Sequence, residues 1–117
     1  YFLAGVVSYS NESKRDILGV RMADIVQYGA VSEEVARQMA EGVRRITGSD
    51  YALATTGIAG PGGGSEAKPI GTVWMALATP TATYAQMRNS GNDRGQVISR
   101  ATAYALDMLY DELKKLF

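Results

Sequence analysis

Residues 55–64 read Thr-Thr-Gly-Ile-Ala-Gly-Pro-Gly-Gly-Gly and place five glycines within residues 57–64. Glycines leaving a strand let a backbone approach a ligand closely. Successive N–H groups in such a segment can form a nest for an anion. Two other readings of the glycines fail. No Gly-Lys-Ser/Thr follows, so this is not a phosphate loop of the Walker A type. The glycines lead to another strand and not into a helix, so it is not a dinucleotide fingerprint. A plain linker between two strands would also account for this composition.

A second stretch is Tyr9-Ser10-Asn11-Glu12-Ser13-Lys14. With Asn11 as a helix N-cap, Lys14 falls in the first turn. A cation there meets the positive end of the helix dipole, and Arg15 adds to the repulsion. Both effects favour the neutral amine. Such a lysine can take the proton of a hydroxyl nucleophile, as in Ser-Lys hydrolases. A solvated surface lysine is the plainer alternative.

A third stretch is Asp93-Arg94, with Arg100 further on. Asp93 near a helix start suits the dipole. Arg94 could clamp a phosphate or carboxylate with its fork of donors. A surface ion pair would use the same residues.

Composition limits the chemistry. The 117 residues fit one domain, and 46% of them are hydrophobic, enough for a real core. The chain has no Cys and no His. Thiolate zinc sites, cysteine nucleophiles and a histidine base are therefore excluded within it. Proton transfer falls to Lys, Asp, Glu, Tyr or Arg. Lys plus Arg number 12, as do Asp plus Glu. This balance argues against a duplex-binding surface, though it leaves room for a small anionic ligand. No run reaches the length of a membrane span, and no secretory signal is visible.

The elements that must position these residues follow from the pattern. Residues Tyr1 to Tyr9 are apolar and β-prone and predict a strand, which opens as if in mid-strand. A short helix is expected from Asn11 to Leu18, and another from Met22 to Tyr28, closed by Gly29. Ser32 is an N-cap, with Glu33 and Glu34 at the positive end of the dipole. Val35, Met39, Val43 and Ile46 recur at helical spacing as a buried stripe, and Gly48 ends that helix. Strands are predicted at Tyr51 to Thr56, Gly71 to Ala78 and Tyr84 to Arg88, the last two joined through Pro80 as an antiparallel pair. Trp74 is expected in the core. A long helix from Asn92 to Leu116 should turn Val97, Ala101, Tyr104 and Met108 inward, with Arg100, Asp107, Asp111 and Lys114 in water. The sum is an α/β fold, a three-layer α/β/α sandwich with a mixed sheet, in one domain over residues 1–117.

Taken together, these stretches resemble the CinA C-terminal domain family, also known as the PncC family. Its Tyr-Ser-Asn-Glu-x-Lys pattern is matched by Tyr9 to Lys14. Its Thr-Gly-Ile-Ala-Gly-Pro-x-Gly-Gly and Lys-Pro-x-Gly-Thr-Val-Trp patterns are matched by Thr56 to Gly64 and Lys68 to Trp74. Its Gly-Asp-Arg before the last helix is matched by Asn92-Asp93-Arg94, with Asn in place of Gly. The resemblance implies an amidohydrolase that converts nicotinamide mononucleotide to nicotinate mononucleotide and ammonia. In that mechanism a serine attacks the carboxamide and a lysine handles its proton, forming an acyl-enzyme that is then hydrolysed.

The resemblance makes Lys14 the lysine and Tyr9 its orienting partner. It sets Asn11, Thr56, Gly57, Ala59, Gly60, Gly62, Gly63 and Arg94 around the substrate. Lys14 and Gly60 should then lie near each other. The family serine belongs to an Ala-Glu-Ser-Cys-Thr-Gly-Gly motif upstream of the first strand. That motif is absent here, so the chain is expected to be an N-terminally incomplete domain, inactive by itself. Neither a cofactor nor a metal is expected. The expected partner is a small nucleotide substrate, with no nucleic acid and no membrane. A homo-oligomer in the cytoplasm is expected. The alternative is a non-catalytic nucleotide-binding or assembly module of a competence/damage-inducible protein.

Overall fold

Ser32 starts the helix on which one face of the structure is built. Its hydroxyl accepts from the Val35 N–H (3.3 Å) and donates to the Gly29 carbonyl (2.8 Å), so one side chain closes one turn and opens the next. Glu33 and Glu34 occupy the first turn, Arg44 and Arg45 the last, each favourable to the helix dipole. The chain leaves through Gly48 in the left-handed conformation (φ 67°).

The structure, a computed structural model, describes residues 3–4, 19–57, 71–89, 91 and 93–115, with only the backbone of residues 3, 4 and 94. The elements in chain order are β1 (Leu3–Ala4), α1 (Met22–Tyr28), α2 (Glu33–Thr47), β2 (Tyr51–Gly57), β3 (Thr72–Ala78), β4 (Thr83–Asn89) and α3 (Arg94–Lys114). The strands form one sheet in the order β1-β2-β3-β4. β1 runs parallel to β2, and β2-β3 and β3-β4 are antiparallel, so the sheet is mixed as expected. The helix expected at Asn11 to Leu18 lies outside the described residues.

Alternation along the strands separates the two faces. Ala52 and Ala54 of β2, with Ala76 and Ala78 of β3, meet Val35, Ala36, Met39, Ala40 and Val43 of α2. Val20 and Ile25 close the same layer. On the other face Tyr51, Val73, Met75 and Leu77 meet Val97, Ala101, Ala105, Met108 and Leu109 of α3. The result is the three-layer α/β/α sandwich. Its helix faces differ in side-chain size: small residues under α2, large ones under α3.

The hairpin between β3 and β4 is made by Thr79, which is buried. Its hydroxyl donates to the Ala82 carbonyl (2.8 Å) and accepts from the amides of Thr81 and Ala82. Pro80 lies inside this turn, where its missing N–H costs nothing.

Several expectations are corrected at their edges. Ile46 is exposed (53%) although its helical angle puts it on the buried face, because no described element covers the last turn of α2. Gly71 is not a strand residue. Its φ of 93° belongs to the turn ahead of Thr72. Asp93, not Asn92, caps α3, which therefore begins at Arg94 and ends at Lys114. Tyr104 and Trp74 are only partly buried, each packed against the margin of its core.

These faces generate a stability test. Ala76→Leu overpacks the tight α2 layer and should cost about 1–3 kcal/mol. Leu77→Ala, on the opposite face, leaves a cavity and should cost about 2–5 kcal/mol. Ile46→Ala should change stability by no more than about 0.5 kcal/mol. Urea unfolding of the three variants checks the ranking, and a large loss from Ile46→Ala would place that side chain in the core.

Candidate functional site

Antiparallel pairing gathers several chain ends at one end of the sheet. Gly57, the last residue of β2, pairs with Val73 at the start of β3, and Thr72 pairs with Asn89, the last residue of β4. α3 begins just beyond that end. α2 begins there too, because the Thr56 hydroxyl donates to the carbonyl of Ala30, in the turn that precedes Ser32 (2.8 Å). The N-termini of two helices thus meet the same sheet end from opposite faces. Each contributes the positive end of its dipole and N–H groups that no helical carbonyl accepts.

At α3 the Asp93 carboxylate accepts from the Gln96 N–H (3.1 Å), and the Asp93 carbonyl from the Val97 N–H (2.9 Å). Helix geometry leaves the N–H groups of Arg94 and Gly95 without an intrahelical acceptor. Arg94 is the first residue of α3. The guanidinium of Arg88 lies over the Tyr104 ring, 4.8 Å from its centre. Such cations and free N–H groups suit an anion such as a phosphate. Among the described residues, no three acidic side chains are grouped to hold a metal ion.

Glycine is required here by space as well as conformation. A Cβ on Gly57 would sit 2.8 Å from Val73 Cγ2 and 3.1 Å from the Thr72 carbonyl. Gly57 therefore lets β2 reach its last pairing against β3. A side chain there would push the strand ends apart and move whatever follows β2.

Of the residues singled out in the sequence, the structure describes Thr56, Gly57 and the backbone of Arg94. All three belong to this sheet end. Thr56 is buried (8% exposed), and its one hydroxyl proton is committed to Ala30, so toward any further group it can only accept. Tyr9, Asn11, Lys14, Ala59, Gly60, Gly62 and Gly63 lie outside the described residues, as does the expected approach of Lys14 to Gly60. The sequence reading missed the role of Ala30, which acts through its carbonyl and leaves no trace in residue type. It also missed Gly91, for which an isolated glycine between polar residues was the available signal.

The far end of the sheet is different in kind. A cavity of about 300 Å³ lies there between α2 and the β3-β4 turn, lined by Glu41, Arg44, Thr79, Thr81 and Thr83, among others. Its polar groups are engaged within the protein: Thr83 Oγ1 donates to Glu41 (2.8 Å) and Arg44 Nε to the Asp50 carbonyl outside the cavity (3.1 Å). The C-terminus of α3 is also at that end. There a hydrogen bond from Lys115 to Glu112, and the charge of that carboxylate, hold the exposed amine above its ordinary pKa. Neither feature adjoins Thr56, Gly57 or Arg94.

This combination defines a class: a three-layer α/β domain whose glycine-bounded sheet end faces two helix N-termini. Residues 1–113 match the CinA C-terminal domain family. The chain belongs to that family. It is 53% identical over 116 residues to a CinA-like protein of Shewanella loihica, covering 98% of this chain and 27% of that protein. A relative in Thermoanaerobacter pseudethanolicus, named as competence-damage inducible, is 46% identical over 108 residues, covering 92% of this chain and 26% of its own length.

Among solved structures, the competence/damage inducible protein CihA of Agrobacterium tumefaciens superposes with a TM-score of 0.86 at 38% identity. The match covers 89% of this chain and 64% of that one. A CinA superfamily protein of Enterobacter cloacae gives 0.87 at 33%, covering 93% and 64%. The chain thus spans about a quarter of the length of the curated relatives it matches.

The Thr56–Ala30 bond gives the second prediction. Thr56→Val keeps the shape but leaves the half-buried Ala30 carbonyl without its donor. It should cost about 0.5–1.5 kcal/mol in urea unfolding, and Thr56→Ser should recover most of that. Equal stability of the valine and serine variants would mean that the bond does not tie the α1-α2 turn to β2.

Proposed function

We propose that the whole polypeptide carrying this chain is a nicotinamide-nucleotide amidase, which hydrolyses nicotinamide mononucleotide to nicotinate mononucleotide and ammonia. The observation that carries the reading is the sheet end where Thr56, Gly57 and the first turn of α3 meet, within a chain of the CinA C-terminal domain family. The two helix N-termini and Arg94 suit the phosphate of a mononucleotide. The glycines that follow Thr56 in sequence supply N–H donors for the substrate.

In this reading a serine upstream of the chain attacks the carboxamide carbon. Lys14 accepts the serine proton and delivers it to the departing ammonia, and Tyr9 orients the lysine. Water then hydrolyses the acyl-enzyme, with Lys14 again serving as base. Asn11, Ala59, Gly60, Gly62 and Gly63 complete the surroundings of the substrate. The reaction needs no metal, because a hydroxyl nucleophile, a neutral amine and backbone donors suffice for acyl transfer.

The proposal is tested by ammonia release in the whole polypeptide, across nucleotide concentrations and with a chelator present. Lys14→Met should lower kcat on the order of a hundredfold to ten-thousandfold with little change in KM, because a base acts mainly in the transition state. Arg94→Ala should instead raise KM. Unchanged turnover after Lys14→Met would remove that residue from the mechanism. No turnover of nicotinamide mononucleotide by the wild type, with nucleotide binding retained, would favour the non-catalytic binding module.

The reading also includes a homo-oligomer acting in the cytoplasm. Among the described residues no helix is long and apolar enough to cross a membrane. Ile98, Leu106 and Tyr110 are each more than half exposed along one side of α3, a surface suited to a second copy. Leu106→Glu should lower the mass measured by sedimentation. A wild type that sediments as a monomer at every concentration would refute self-association.

A further inference from the structure

The arginines of the chain fall into two groups. Arg21 pairs with Asp24 and Arg37 with Glu33 (2.8 Å each), and Arg44 donates to the Asp50 carbonyl (3.1 Å). Arg88 and Arg100 differ. Among the described residues neither guanidinium has a carboxylate partner or a hydrogen-bond acceptor. The Asp93 carboxylate, also at this end of α3, is engaged with the Gln96 N–H.

Both cations sit between β4 and α3. Arg88 pairs across the sheet with Val73, whose side chain lies in the core under α3, so Arg88 is on the α3 side. Its guanidinium lies 4.8 Å from the centre of the Tyr104 ring. Arg100 precedes Tyr104 by one turn of α3 and so shares its side of the helix. The two cations therefore flank one ring.

Neither cation is loosely placed. Arg88 is attracted to the face of the ring. Arg100 lies against Gly91, which has φ 100°. A Cβ on Gly91 would come within 3.1 Å of Arg100 Nη1 and 2.9 Å of Gln96 Oε1, so the glycine gives both side chains their seat. Positive charges on adjacent turns repel, and a separation of about 6 Å along the axis is shorter than the Debye length at physiological salt. No described carboxylate offsets that repulsion. An oxyanion would. Guanidinium forks match phosphate oxygens two at a time, and the Gln96 carboxamide beside Arg100 adds a neutral donor.

We infer that Arg88, Arg100 and Gln96 form a binding site for a phosphate group between β4 and α3, one to two turns along α3 from its N-terminus. The phosphate belongs either to the mononucleotide of the proposed reaction or to a second phosphorylated molecule. The site is read by binding alone and does not depend on deamidase activity.

Calorimetric titration of the whole polypeptide with inorganic pyrophosphate tests it. Arg88→Gln and Arg100→Gln should each weaken binding roughly tenfold, and the double variant about a hundredfold. Arg100→Lys keeps the charge without the fork and should fall between Arg100→Gln and wild type. Arg44→Gln, at the far end of the sheet, should bind as wild type does. Without ligand, the Tm of Arg100→Gln should equal or exceed that of wild type, because a repulsive charge is gone. A residue serving only the fold would lower it.

A repeat with nicotinamide mononucleotide present separates the two sources. Competition assigns the site to the nucleotide's own phosphate, and simultaneous binding assigns it to a second molecule. Failure of the mononucleotide to bind or react counts against the amidase reading and leaves the pyrophosphate result intact. Pyrophosphate that binds the double variant as tightly as wild type, or binds neither, would overturn the inference, as would a lowered Tm of ligand-free Arg100→Gln.

Discussion

The close seat of α2 on an alanine face of the sheet is the constraint from which the other positions follow. Ala52, Ala54, Ala76 and Ala78 present almost no side-chain height, and Ala36 and Ala40 answer them from the helix. Dispersion attraction is short-ranged, so a helix can gain it here only by approaching closely. Val35, Met39 and Val43 then fill the space between the small residues. With α2 held at that height, the turn before it comes within reach of Thr56, and one hydroxyl links helix entry to strand exit. The larger residues on the other face keep α3 further out, where its partly exposed Tyr104 can receive Arg88.

The second determinant is the register of β2 on β3. Gly57 opposite Val73 and Thr72 opposite Asn89 bring three strand termini level with one another. Gly71 and Gly91 meet beside the termini of β3 and β4, and glycine is the residue that lets two backbones approach so closely. The distribution of polar groups follows. Free helix N–H groups and cations gather at this end. At the opposite end Glu41, Arg44, Thr79 and Thr83 are engaged with neighbours inside the protein.

Much of this was legible in the residues. Ser32 and Gly48 bound α2 because capping is local chemistry, written in one or two residue types. The apolar run from Tyr51 toward Thr56 marked β2 as a strand, and Pro80 marked the hairpin. Ile46 misled because helical spacing predicts angle but not whether a neighbour exists. Gly71 misled because a glycine beside Thr-Val-Trp reads as part of the strand, while it stands in the turn before β3 at φ 93°, with the Gly91 carbonyl where a Cβ would be. Thr56 was correctly set at the sheet end. Its partner Ala30, 26 residues away, contributes a main-chain atom that no residue type announces. Local signals were readable, and tertiary hydrogen bonds to backbone were not.

β4 pairs with one described strand, and its outer rim consists largely of exposed residues, among them Gln86, Met87, Arg88 and Asn89. An open rim of this kind is a template on which a stray extended peptide can align. Here the template is already partly occupied. Arg37 reaches across from α2 to the Thr83 carbonyl, the Thr83 hydroxyl is held by Glu41, and Arg88 is drawn over Tyr104. Each of these contacts sets a bulky or charged group along the border. A foreign strand would have to displace them and bury a guanidinium to gain its ladder of hydrogen bonds. The same arginines that brace the helices therefore also guard the molecule against growing, strand by strand, into an aggregate.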